Sequence, residues 1–423
     1  MNFFSRSRTG KVLGGFAVVG VSALVLAGCA GSGGDTESSA APAGDDLALK
    51  IGTALPQTGN LAFLGPPEEA GVAYAASQIN EISADTGLTL DVVYGDSGDT
   101  DNKAYETEIP RLLGEDVSAI IGAASSGTSL QFIDQVVGAG VIQFSPANTS
   151  DAFTTYEDDG LYFRTAPSDV LQGEVLGNLI AEDGNQTLGM IVLNDSYGTG
   201  LAGYVTEAFE AAGGEVVAAP TYNTGDATFD AQISEVLAAD PDAIALITFD
   251  EVSTMLPSLF GQIPSDKLYF VDGNLKNFED AFPAGSLTGA KGTLPGLSID
   301  SIADFTSELD AFLEAEGDAP LEDYSYAAES YDATILLALA SLAAGSTDSA
   351  AMAEKLIEVS GGAGEGETCT SYAECADIIL GGGVADYDGI SGPITFDEVG
   401  DPTEASIGIY EFAEDNTYTA YMG

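Results

Sequence analysis

Ser125, Ser126 and Thr128 stand where an apolar, strand-like run, Val117–Gly122, gives way to a helical one. The first N–H groups of a helix have no acceptor within it, and the helix dipole is positive at that end. Hydroxyl residues there suit an anion such as a carboxylate. Serine at this place is also an ordinary helix N-cap, and one hydroxyl can do both. Other spacings imitate chemistry without supporting it. Gly198-Thr-Gly-Leu-Ala-Gly203 fits G-x-G-x-x-G, but four polar residues, Asn194 to Tyr197, separate it from the preceding apolar run, and no acid ends the next one, Val216–Ala219. A dinucleotide site needs both features. Gly95-Asp-Ser-Gly-Asp-Thr-Asp101 imitates a calcium loop but lacks the glutamate at the twelfth place, so an acid-rich helix start is the better reading. The chain contains no histidine, which removes histidine-dependent triads, and no free cysteine with a partner emerges. Chance carboxylate pairs are inevitable among 67 acids and carry no argument for glycosidase chemistry. Neither a catalytic group, a cofactor site nor a metal site emerges.

Charge narrows the partners. Three of the 11 basic residues (Arg6, Arg8 and Lys11) precede Cys29, whereas all 67 acids follow it; eight bases against 67 acids leave −59 from Cys29 onward. Such a field repels nucleic acid and opposes any anionic solute that lacks a local clamp. It suits a salty habitat, since the Debye length falls to about 3 Å in molar salt.

The N-terminus explains the three early bases. They precede an apolar, glycine-broken run, Val12–Ala27, too short for a membrane span, that ends in Leu26-Ala-Gly-Cys29. This tetrad resembles the lipobox of bacterial lipoproteins, which implies a signal peptide over 1–28 and lipidation of Cys29. Residues 29–46 are small, polar or acidic and read as a flexible tether. The globular part is therefore expected outside the cytoplasmic membrane, anchored to its outer face. No later apolar stretch is expected to span a bilayer. Cys369 and Cys375, in an exported Cys-Thr-Ser-Tyr-Ala-Glu-Cys segment, are expected to form a local disulfide; a metal pair is the competing reading, and no histidine completes it.

The remaining length exceeds what one hydrophobic core usually spans, so two domains are expected. Apolar runs (Lys50–Leu55, Leu88–Tyr94, Val117–Gly122, Val141–Ser145, Leu188–Leu193, Glu215–Ala219, Asp242–Phe249, Lys267–Asp272) alternate with amphipathic helices such as Pro67–Asn80, Ser129–Gly138 and Thr199–Ala212. This is the pattern of α/β folds with parallel sheets. The alternation breaks after the strand Leu161–Thr165 and again after Asp272, where helices over Ile302–Glu316 and Asp323–Ala343 and a β-rich tail follow. Two sheets facing each other would make a cleft lined by strand-end loops.

An ordered set of motifs resembles the branched-chain amino-acid-type solute-binding proteins of ABC importers. These are Ile51-Gly-Thr-Ala-Leu-Pro-Gln-Thr-Gly59, Ala119-Ile-Ile-Gly-Ala-Ala-Ser-Ser-Gly127, Ser145-Pro-Ala-Asn-Thr149, Tyr162-Phe-Arg-Thr-Ala-Pro-Ser-Asp169, Asp195-Ser-Tyr-Gly198 with Leu201, Gly225-Asp226 with Phe229 and Gln232, and Gly392-Pro-Ile-Thr-Phe-Asp397 with Gly400-Asp401. The resemblance runs from about Leu47 to the end. It implies the type I periplasmic-binding fold: two doubly wound parallel-sheet lobes, 47–166 with 297–400 and 167–296 with 401–423, crossing near Pro167, Gly296 and Asp401. It implies capture of a small amino acid by lobe closure, a membrane permease as partner, action as a monomer and no catalysis. Ser125, Ser126, Thr128, Ala147 and Thr149 would hold the α-amino acid moiety, and Asp272 its ammonium group. Tyr197 would supply an aromatic lid, with Tyr331 a further candidate. Asn148 and Thr149 are also ordinary turn residues, Asp272-Gly273 an ordinary turn, and Tyr331 a residue at helical spacing in an apolar stretch. The family's aromatic position in the first loop falls near Leu64 or Phe63, and the Cys369–Cys375 loop lies outside its pattern. Ligand identity therefore stays open among branched-chain, polar amino-acid, amide and urea-like solutes. A ligand sensor or an exported enzyme are the rival classes.

Overall fold

In the computed structural model, residues 46–364 and 366–421 are described; Cys29 and the segments read as signal peptide and tether lie outside them. The apolar runs form two sheets. The first is all parallel, in the order Leu88–Val93, Leu47–Ala54, Ala119–Gly122, Ile142–Ser145, Tyr162–Arg164. Side chains alternate across it, as a pleated strand requires: Ala119 and Ile121 enter one apolar core, Ile120 the smaller core on the other face. The second sheet has eight strands. Its parallel part runs Lys291–Pro295, Leu268–Phe270, Ala243–Ile247, Thr187–Leu193, then Glu215–Ala218 and Thr221–Tyr222. Ile407–Phe412 adds antiparallel to Lys291–Pro295, and Tyr418–Ala420 to that.

The chain passes between the sheets three times: after Tyr162–Arg164, after Lys291–Pro295, and between Gly392–Pro393 and Ile407–Phe412. The fold is thus the expected two-lobed α/β architecture with a multi-strand hinge. Gly296 N–H donates to Ser406 O (2.9 Å), tying the second crossing to the third. At the third, Gly400 has φ +80°, and a Cβ there would lie 2.4 Å from Tyr162 O. Only glycine permits this close approach.

Three expectations need correction. The helix Ala327–Ala344 is long and apolar enough to cross a membrane, contrary to the sequence reading. It is instead a core helix, buried from Ala327 to Leu342 between the first sheet and the helices Gly65–Glu81 and Ser349–Val359. It also starts at Ala327 rather than Asp323. Tyr326 adopts left-handed backbone (φ 61°) at its entrance, a conformation rare for a bulky side chain. The tail is not simply β-rich: Ser349–Val359 and Tyr372–Leu380 are helices, and only the short strands Glu367–Cys369, Ala385–Gly389 and Gly392–Pro393 lie among and after them before the second sheet resumes. Cys369 and Cys375 form a disulfide with Cα atoms 5.4 Å apart, joining a strand to the helix after it.

Near the second crossing the fold buries two acids, Glu329 and Glu68, with no cation paired to either among the described residues. Glu329, two residues into the core helix, faces Gly296 of the second crossing. Burial, with Asp332 nearby, raises its carboxyl to about 8. Glu68 is fully buried with no hydrogen-bond partner on either oxygen, and burial, then Glu69 and Glu329, pushes its carboxyl well above the usual range. Because the folded value of Glu329 exceeds the unfolded one, its favourable contribution is complete below the ordinary carboxyl range and is lost as pH rises through about 8. Glu329→Gln keeps the shape and cannot ionise. Thermal or urea unfolding should find it close to wild type near pH 5 and more stable than wild type above pH 8, by up to about 4 kcal/mol at about 1.4 kcal/mol per pH unit. A variant that tracks wild type across this range would show that Glu329 does not titrate in the fold.

Candidate functional site

The carboxyl ends of both sheets converge on one small cavity. Each parallel strand hands its chain to a loop, and the loops supply the wall, as open α/β sheets require. Leu61 and Leu64 come after Leu47–Ala54, Ala124–Ser126 after Ala119–Gly122, and Ala147 and Thr149 after Ile142–Ser145. From the second lobe, Tyr197 follows Thr187–Leu193, Phe249 follows Ala243–Ile247, and Asp272 and Gly273 follow Leu268–Phe270. Tyr326 closes the hinge side.

The first-lobe wall is stitched to itself. Gly122 has φ +122°, and a Cβ there would lie 2.1 Å from Ala54 O, so glycine lets the strand turn sharply into Ala123. Ser145 Oγ donates to Ala123 O (2.7 Å) and accepts from Asn148 N–H (2.9 Å). Asn148 Nδ2 donates to Ala123 O and Ala124 O (3.0 and 2.8 Å). Asn148 is thus spent on backbone and, through Oδ1, on the Tyr162 hydroxyl (3.0 Å), leaving its neighbours Ala147 and Thr149 at the cavity. Ser125 caps the helix Ser126–Gly138 by accepting from Thr128 N–H (3.2 Å), and Ser126 Oγ accepts from Ser150 N–H (3.3 Å). The capping role and the place on the cavity wall coincide at Ser125.

The second-lobe wall is built around Asp272, 5% exposed. It accepts from Tyr197 OH (2.7 Å), Gln172 Nε2 (2.9 Å) and Tyr326 OH (2.8 Å). Burial raises its carboxyl, and these three hydrogen bonds oppose the rise. No lysine or arginine lines the cavity. Tyr197 stacks on Phe249 with ring centroids 5.4 Å apart. A second buried carboxyl, Asp169, opens the helix Asp169–Glu182; burial, then Asp272, pushes it well up. Thr149 favours its charged form, yet neither oxygen makes a full hydrogen bond.

Of the residues singled out from sequence, Ser125, Ser126, Ala147, Thr149, Tyr197 and Asp272 meet at this cavity. Thr128 does not line it; its hydroxyl is buried in the first helical turn without a partner. Tyr331 is in the first lobe's core, packed against Tyr74 and Phe305 and donating to Gln78. Tyr326 was missed, because helical spacing placed it inside a helix. At the family's aromatic position the wall is aliphatic, Leu64, while Phe63 lies under Lys276 Nζ, 5.5 Å from the ring centroid.

The lobes touch across the cleft. Leu61, Leu64, Ala124 and Ala147 share an apolar cluster with Tyr197, Phe249 and Tyr326. Asp250 N–H donates to Asn60 O (3.2 Å), Asn60 Nδ2 to Glu251 Oε1 (2.6 Å), and Ser150 Oγ to Ser196 O (3.2 Å). The two walls are therefore in contact over the cavity. The imitations also resolve. Gly198–Gly203 lies within the helix Ser196–Ala211, not at a phosphate-binding turn. Asp96 and Asp99 accept N–H groups from residues 57–60 and 98–102, bracing the first loop. Among the described residues no group of three or more acids or cysteines could hold a metal ion.

A family model described as periplasmic binding protein matches residues 48–367. The leucine-, isoleucine-, valine-, threonine- and alanine-binding protein of Pseudomonas aeruginosa is 31% identical over 190 residues, 44% of this chain; the chain spans half of that relative's length. The chemotactic signal transduction system substrate-binding protein BasB of Halobacterium salinarum is 24% identical over 355 residues, 82% of this chain and 83% of that protein. Among solved structures, the leucine binding protein LivK of Thermotoga maritima gives a TM-score of 0.69 at 20% identity, covering 88% of this chain and 97% of that one. The branched-chain amino acid transporter substrate binding protein LivJ of Streptococcus pneumoniae, in complex with isoleucine, gives 0.69 at 20% identity, covering 88% and 99%. At such identity these structures speak to the fold.

Proposed function

The chain belongs to the periplasmic binding protein family, and from that premise we propose that it is the solute-capturing component of an ABC importer, closing over a small α-amino acid with an aliphatic side chain. The observation that carries this reading is Asp272: a carboxylate buried in the cavity wall with three neutral donors and no cationic side chain. A buried anion calls for a cation, and a ligand ammonium group would supply it. The opposite wall offers what a carboxylate needs, the hydroxyls of Ser126 and Thr149 and the N-terminal N–H groups of Ser126–Gly138. Leu61, Leu64, Ala124 and Phe249 supply an apolar surface for an aliphatic side chain. Each end of the zwitterion would then tie down one lobe, the lobes being 47–166 with 297–400 and 167–296 with 401–423. Nothing in this scheme alters the solute, so it is released unchanged to a permease.

The protein is proposed to act as a monomer, tethered through a lipid on Cys29 to the outer face of the cytoplasmic membrane. A second reading, capture for a chemotactic sensor, is favoured by the likeness to BasB over most of both chains. The two readings share the site and differ in the protein that receives the closed form.

Calorimetry against the twenty L-amino acids tests the ligand class, and mass spectrometry of solutes released on denaturation gives its identity. Asp272→Asn should weaken binding of the amino acid so found by roughly 30-fold to several-thousand-fold, since removing one partner of a buried charge pair costs about 2–5 kcal/mol. A change below about threefold in a folded variant would mean that Asp272 does not meet the ammonium group, and recovery of a chemically altered solute would favour an enzyme. For the anchor, Cys29→Ser expressed in a bacterial host should leave the membrane fraction; equal retention would sink the lipid tether.

A further inference from the structure

We propose that Arg164 is a positioning residue for the solute site. It holds the loop Ala147–Ser150 so that the Thr149 N–H, and none of the carbonyls of residues 148–150, faces the cavity, and it makes that arrangement depend on the third crossing through Asp401. The inference rests on the cavity being the amino-acid site proposed above.

Arg164 ends the edge strand of the first sheet, and its side chain is wholly buried. Nε donates to Asp401 Oδ1 (2.6 Å) and Nη2 to Asp401 Oδ2 (2.7 Å), a two-point fork that takes up its charge. Nη2 also donates to Thr154 Oγ1 (3.1 Å), whose hydroxyl donates to Asp401 Oδ2 (2.6 Å). What remains of the guanidinium goes to the cavity loop: Nη1 donates to Ser150 O (2.8 Å) and Asn148 O (3.3 Å), on either side of Thr149. The carbonyl between them, Thr149 O, accepts from Asp169 N–H (2.7 Å) at the start of the second lobe's first helix. Three successive carbonyls are thereby turned to partners behind the loop. A trans peptide is planar, with its N–H opposite its C=O. Anchoring Asn148 O on Arg164 therefore sends the Thr149 N–H the other way, on the residue that lines the cavity.

The consequence is a carboxylate-receiving wall with no cation in it. In a chain carrying −59 beyond Cys29, carbonyl oxygens turned toward the ligand's carboxylate would repel it. The guanidinium prevents this from behind, as geometry rather than as a counter-ion, because Asp401 already neutralises it. Asp401 lies on the third crossing, beside Gly400, whose carbonyl accepts from Arg164 N–H (3.2 Å). The loop and the hinge thus share one guanidinium.

Lysine can keep the charge but not the fork, so Arg164→Lys separates geometry from electrostatics. Asp401→Asn, which removes the charged half of the fork, serves as a second variant should the first fail to fold. Hydrogen exchange on ligand-free protein reads the loop directly: the amides of Asn148 and Ser150, which donate to Ser145 and Ser126, should exchange at least tenfold faster in either variant. Amides in the strand Ala243–Ile247 should be unchanged. Calorimetry well below each variant's melting temperature, with whichever of the twenty L-amino acids the wild type binds, should show at least tenfold weaker binding. Unchanged loop exchange in a folded variant overturns the positioning role. So does faster exchange with affinity within threefold of wild type, which would leave Arg164 a purely structural residue. Wild-type protein that binds none of the twenty would defeat the proposed solute class instead, a failure the exchange measurement does not share.

Discussion

A carboxylate closed into an apolar cavity with no cationic side chain beside it constrains the rest of this structure. Removing a charge from water costs several kcal/mol even after relaxation, and each hydrogen bond to it returns about 1.5–3 kcal/mol. Asp272 therefore needs donors from every side. They come from separate parts of the chain: Gln172 from the helix after the first crossing, Tyr197 from the helix after Thr187–Leu193, and Tyr326 from the turn before the core helix. The last explains why Tyr326 accepts left-handed backbone. A regular helix beginning at Asp323 would not present its hydroxyl to the same carboxylate.

The same economy of positive charge appears elsewhere. With so few bases, most acids must be solvated, paired with N–H groups, or protonated, and all three solutions occur. Asp96 and Asp99 fold backbone N–H groups around themselves and so brace the first loop. Glu68 and Glu329 are buried on the hinge side, where their carboxyls are pushed up and the neutral form is favoured. The buried cations that do occur span elements: Arg164 bonds to Asp401 across the hinge, and Lys291 to Asp183 within the second lobe. Charge in this protein is thus handled locally, which leaves the cavity lining free of basic side chains.

Much of the architecture was legible from residue pattern alone. Apolar runs bounded by polar loops, such as Ala243–Ile247, suit strands covered on both faces, and their alternation with helices suits parallel sheets. The first break in that alternation marks the first crossing; the second, after Asp272, comes one strand early, because Lys291–Pro295 joins the second sheet before the chain crosses again. Six cavity residues were found because each sits just past a strand's carboxyl end or in the first turn after it, a relation that sequence order preserves. What composition and local spacing could not contain was contact between distant segments. Tyr326 and Tyr331 lie five residues apart in one helical-looking stretch, yet one meets Asp272 and the other packs on Tyr74 and Phe305. The difference is set by where the helix starts, which the neighbouring lobe decides. Nor did apolarity say whether Ala327–Ala344 faces lipid or protein, since both solvents demand the same side chains; the first sheet packing against it decided for protein. Arg164 was visible only as part of a motif. Its contacts need residues 148, 150 and 401 to meet at one point, and only the folded chain brings them there.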